Sequence, residues 1–226
     1  MSNPQLTENV EKSVKSVVLF WEKVQKYFFM RRVLTIIAQG VFFKKIYGLF
    51  LKITAVLTGI GGLALWVRGW VLISEMSRYG NAAGVIFGGL IVEVLLIVFL
   101  YAGVHTLWLR AVEIENLPES GYTVIPIIAT SFKLVGELYA ICSLFLGIAG
   151  AILIWLAGRM AGYMLPSFPM VDGTGSGFIA GLLTLILGLG FGLLALVVFY
   201  FFSETTIVLV DIAGRLKKNN EPLAEE

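Results

Sequence analysis

Four stretches of this chain are too long and too apolar for a soluble core, and they limit everything else the chain can become. Crossing about 30 Å of hydrocarbon takes about 20 residues of helix. The first stretch runs over about 46–73, with Lys52 and Arg68 near its ends, where long side chains can reach the headgroups. The second covers about 82–109 and is interrupted by Glu93. The third has an uncharged heart over 138–158. The fourth is uncharged over 173–203, long enough to cross with a tilt. Trp66, Trp70, Trp108 and Trp155 fall near the expected span ends, where an amphipathic indole prefers to sit. Only 14% of the 226 residues are charged, against about a quarter in soluble domains. Lipid must therefore cover much of the surface. The sequence predicts an all-α integral membrane helical bundle with four transmembrane helices.

Basic residues orient such a bundle. The N-terminal segment carries Lys12, Lys15, Lys23, Lys26, Arg31, Arg32, Lys44 and Lys45, and the C-terminal tail carries Arg215, Lys217 and Lys218. Loop 74–81 offers only Arg78, and the loop after Arg159, over 160–176, offers none. Both ends and the loop around 110–122 are therefore expected in the cytoplasm. The polar start of the chain does not resemble a cleavable signal peptide, so a mature span is expected to act as the insertion signal.

Shifting the sequence by 88 residues suggests an internal repeat. Thr35, Ile37, Lys45, Gly48, Ile53, Gly59, Ile60, Gly62 and Leu65 fall on Thr123, Ile125, Lys133, Gly136, Ile141, Gly147, Ile148, Gly150 and Leu153. Biased composition alone would give roughly three such matches. The second members of each half align poorly, with a loose echo between 109–114 and 207–212. This reads as a two-fold repeat of a two-span unit, with halves at about 34–114 and 122–213. An even number of spans per copy makes the repeats parallel. Ahead of them, over 8–39, Val10, Val14, Val17, Trp21, Val24, Phe28 and Leu34 recur at threes and fours between charges. That pattern predicts an amphipathic helix lying in the inner interface. The expected organisation is an interfacial region over 1–45, a membrane domain over 46–213 and a polar tail over 214–226.

A few polar residues stand out against this background. Glu93 lies eleven residues past Ala82, about 16 Å along a helix, and is placed near the midplane. There a carboxyl must be neutral, paired or beside water. Thr58 on the first span is the expected hydrogen-bond partner. Lys133 and Glu137 stand four apart and are expected to pair at the inner mouth of the third span, after a turn at Pro126. Glu204 and Asp211, seven apart, share a face at the cytoplasmic exit of the fourth span and could form a cation-attracting rim with Glu137. The plainer account of both acids is that they mark where the helix leaves lipid. Pairs of glycines at spacing four, at Gly84/Gly88, Gly158/Gly162, Gly177/Gly181 and Gly188/Gly192, let helix backbones approach closely.

Several chemistries find no support. One cysteine, Cys142, and one histidine, His105, cannot build a thiolate or histidine metal centre, and no catalytic residue or cofactor is assigned. A net charge of +2 gives no reason to expect nucleic acid. The expected partners are the bilayer itself and either a second copy or another membrane protein. Two functions lead: a non-enzymatic scaffold, regulatory or accessory subunit of a membrane complex, or a small oligomeric transporter or channel subunit using Glu93. An enzyme acting on lipid ranks third, since Ser143 and Cys142 have no histidine near them in sequence and His105 no obvious acid. Short loops and a compact repeat suit a bacterial cytoplasmic membrane. Reporter tags on the two ends should appear in one compartment, with a tag in loop 160–176 in the other. Ends on opposite sides would overturn this topology.

Overall fold

A computed structural model describes residues 41–79, 81–117, 124–164 and 177–220. Those residues form α1 (Val41–Met76), α2 (Ala82–Glu115), α3 (Val124–Ala157), a 3-10 turn (Gly158–Met160), the short α4 (Ala161–Met164) and α5 (Phe178–Asn220). The chain divides into two compact units, Met1–Phe43 and Lys44–Glu226. Of the first, the rings of Phe42 and Phe43 meet edge to face, with centroids 5.8 Å apart. The amphipathic helix expected over 8–39 lies outside the described residues. Everything below concerns the second unit.

In hydrocarbon every backbone N–H and C=O must be satisfied within its own segment, which an α-helix does and a loop does not. The sequence allows long helices because it keeps proline out of their interiors. Pro126 is no separate turn: it stands third in α3, in the first turn, where a missing N–H costs nothing. The four long helices are each long and apolar enough to cross a membrane, which supports a multi-pass, membrane-embedded protein. At about 1.5 Å per residue even the 34-residue α2 is about 50 Å long, so the helices outrun the hydrocarbon. They are longer than the apolar runs that announced them. α1 begins before 46, α2 continues past 109, and α5 runs through the start of the expected polar tail to Asn220.

α3 is the hub. Half of its apolar window is buried within the protein, against about a fifth for the other three long helices. α1 and α2 run antiparallel in a constant register, with Gly48 against Glu115, Gly62 against Leu100, and Gly89 against Ile73. α2 meets α3 where Gly84 and Gly88 face Leu156. α3 and α5 approach backbone to backbone: a Cβ added to Gly147 would lie 2.9 Å from the Cα of Gly188. Gly181 is filled by the Trp155 indole, and Gly192 lies over Ala140. These glycines therefore pack within one chain, whereas Gly158 and Gly177 have open space where a side chain would be. Interiors pack at both ends of the bundle, around Leu51, Leu107, Ala111, Ile114 and Leu134 at one, and around Leu153, Ile154, Ala161 and Ala180 at the other.

The second of these ends is closed by one side chain. Asn81 caps α2 by accepting from the Gly84 N–H at 3.2 Å, and its amide donates to the Leu156 carbonyl at 3.3 Å. That carbonyl lies in the last turn of α3, where intrahelical donors run out. α3 stops there because Gly158 takes φ +63°, a left-handed conformation that suits glycine and ends helices.

Candidate functional site

Most charged side chains of the long helices, Arg68, Glu75 and Glu93 excepted, lie towards the end of the bundle that holds the start of α1 and α3. Arg110, near the end of α2, donates from Nε to Glu137 Oε2 on α3 at 2.9 Å and from Nη2 to Glu137 Oε1, a bidentate pair. It also bonds Glu113, one turn further along α2. Tyr200 on α5 donates its hydroxyl to Glu137 at 2.6 Å and accepts from Arg110 at 3.3 Å. Three helices are thus tied through one guanidinium and one carboxylate. Both side chains are more than four-fifths buried, so the planar fork of arginine meets the carboxylate largely out of water.

A second tie joins α1 to α2. Lys52 Nζ lies 2.8 and 2.7 Å from the two oxygens of Glu115 and 5.8 Å above the Trp108 ring. The Glu115 stem lies against Gly48, where a side chain would leave it no room. Close by, buried Lys44 donates to the Leu117 carbonyl at 2.7 Å, and Tyr47 Oη lies 2.8 Å from Ser131 Oγ, linking α1 to α3.

Against this frame the expected residues sort clearly. Glu137 is at the centre of the network, but its bonded partners are Arg110 and Tyr200. Lys133 instead sits 5.8 Å above the Tyr200 ring. Glu204 is exposed one turn beyond Tyr200, and Asp211 pairs with Arg215 at 2.9 Å on the open surface of α5. The three acids are therefore not brought together as a rim. Arg110, Glu115 and Tyr200 were missed. The available signal was the acid-rich turn Arg110–Glu115 directly after the second apolar run; Tyr200, set among phenylalanines, gave none.

Glu93 stands apart, in the half of the bundle nearer the Met76–Ala82 end. It faces Gly69, whose missing side chain makes room for the carboxyl. Thr58 lies eleven residues back along α1, about 16 Å away by helical rise, and lines a different space. Glu93 is 5% exposed, and its Oε2 has no hydrogen-bond partner among the described residues. It opens on a cavity of about 70 Å³ bounded by Ile73, Gly89, Leu153 and Met164. A larger apolar groove of about 460 Å³ lies between α1, α2 and α3, lined by Thr58, Gly61, Gly103, Phe99, Cys142 and Phe145. His105 is exposed and stacks on Tyr101. Among the described residues no group of three potential metal-ligating side chains comes together.

Breaking the Arg110–Glu137 pair should be costly, because either partner alone leaves a largely buried charge. Arg110→Ala should destabilise the protein by about 3 kcal/mol and Tyr200→Phe by about 1–2 kcal/mol. The Arg110→Ala/Glu137→Ala double variant should lose less than the sum of the two single variants, measured by thermal unfolding in detergent. Strict additivity would show that the pair is not coupled. Compared with protein-family models, curated proteins and solved structures, the chain matches none.

Proposed function

We propose that this chain is a non-catalytic, multi-pass scaffold or accessory subunit of a membrane complex, seated in a bacterial-type cytoplasmic membrane with both ends in the cytoplasm. The observation that carries this reading is how the ionisable residues are used. Arg110, Glu137, Lys52 and Glu115 are bonded between helices instead of lining a shared cavity. Such ties hold helices in a defined arrangement, as a platform for a partner requires. The laterally open groove between α1, α2 and α3 is the natural seat for a partner's membrane helix, since Gly61 and Gly103 leave its floor low.

The two-fold repeat and the interfacial helix over 8–39 belong to the same proposal. In support of the repeat, matched glycines face the second member of their own hairpin. Gly48 and Gly59 lie against Glu115 and Val104, and Gly136 and Gly147 against Phe199 and Gly188. The basic start of the chain would lie on the cytoplasmic leaflet.

A photocrosslinker at Gly61 or Leu96, beside the groove, should yield a discrete protein adduct in native membranes. The same probe at the lipid-facing Val94 or Val197 should not. Equal labelling at all four sites, or only a lipid smear, would count against a subunit role.

A second reading is favoured by one specific observation, the buried and unpartnered oxygen of Glu93. In this reading an oligomer carries protons or cations past that carboxyl. Liposomes holding the wild-type protein should then show proton or cation flux that Glu93→Gln reduces at least tenfold. Background flux from both proteins would end it.

A further inference from the structure

A carboxyl oxygen buried without a donor is expensive; leaving a buried polar group unsatisfied costs several-fold more than an ordinary hydrogen bond returns. The helices around Glu93 offer little relief, because their backbone groups are engaged in their own i to i−4 bonds. Gly69 and Gly89 are the two positions where α1 and α2 give up side-chain volume here. At Gly69 any Cβ would collide with the carboxyl, and at Gly89 it would meet Ile73 at 2.5 Å. The carboxyl is thus fitted into a nook, and Glu93 lines a cavity of about 70 Å³ there. A water molecule needs only about 10–15 Å³ of such space.

The position of the cavity sets its access. Met164 of α4 forms one wall at the end of the bundle where α1 finishes and α2 begins. An unbranched thioether side chain can swing aside cheaply. Towards the opposite end the neighbouring groove starts at Leu65 and Leu96, and its lining is almost wholly apolar. Of its lining residues only Thr58 and Cys142 carry a side-chain proton donor, and Thr58 stands eleven residues along α1 from Gly69.

We propose that the nook is a hydrated proton site: water enters past Met164, hydrogen-bonds Glu93 Oε2, and exchanges protons with the Met76–Ala82 side alone. The inference rests on the second reading of the function, in which Glu93 handles a proton, and it names what reaches the carboxyl and from where. The step is a simple transfer. Hydronium gives its proton to the Glu93 carboxylate and leaves as water, and the reverse transfer restores it.

Infrared spectroscopy of the full-length protein in bilayers tests this. A carboxylic C=O stretch should appear in acidic buffer, be absent from Glu93→Gln, and shift within the mixing time when H2O is replaced by D2O. Met164→Trp, which narrows the entrance, should slow that shift at least tenfold while the band remains. If Glu93→Gln does not fold, displacement of the band in Glu93→Asp makes the assignment. A Glu93 band that resists D2O for hours would overturn the proposal, as would no Glu93-dependent band at any pH. Absent flux with rapid exchange would sink only the transport reading, so the two failures are distinguishable.

Discussion

Helices surrounded by lipid tails gain little from burying leucine against leucine, so what holds them together must come from close packing and from polar bonds made out of water. In this bundle both requirements converge on α3. Its Gly147 lets α5 approach until the backbones touch at Gly188, while its Glu137 receives Arg110 from α2 and Tyr200 from α5. A further bond from Ser143 to the Gly188 carbonyl, at 2.8 Å, lies at the same crossing. α1 depends on this assembly at second hand, through Lys52 and Glu115 to α2 and through Tyr47 and Ser131 to α3.

The two halves of the bundle treat polar atoms in opposite ways. At the end carrying Arg110, acids and bases lie within reach of each other and of the helix ends, and Glu113, Glu115 and Glu137 each find a donor. At the other end the ties between helices are neutral: Asn81 reaches the Leu156 carbonyl, and the Trp155 indole reaches the Phe178 carbonyl at 3.1 Å. Glu93 is the exception there. A residue that breaks the local rule without a compensating bond is where functional sites concentrate.

The architecture was legible because hydrophobic length is a one-dimensional property. Four runs in the sequence correspond to four long helices, and of the glycines at spacing four Gly84, Gly88, Gly181, Gly188 and Gly192 are contact points, whereas Gly158 and Gly177 meet open space. The ends were less legible. Lys44, Glu113 and Glu115 read as loop or flank by composition, yet they lie on helices that extend past the apolar runs. The site was only partly legible for a geometric reason. Periodicity shows that Lys133 and Glu137 share a face, but whether that face meets Arg110 or Tyr200 depends on packing between residues 27 and 63 positions apart. Thr58 and Glu93 failed to meet for the same reason, since the antiparallel register of α1 and α2 places Gly69 opposite the acid.

α5 also has a mechanical property that follows from its length alone. It is 43 residues long without a break, and its contacts with α3 run from Gly181 against Trp155 to Phe202 against Phe132, which leaves about 27 Å of helical rise from Phe202 to its far end. A rod held over only part of its length is a lever beyond the hold. Bending by about 5° at the last of those contacts moves the Asn220 tip by about 2 Å, so a small adjustment within the bundle is enlarged towards the end of the helix.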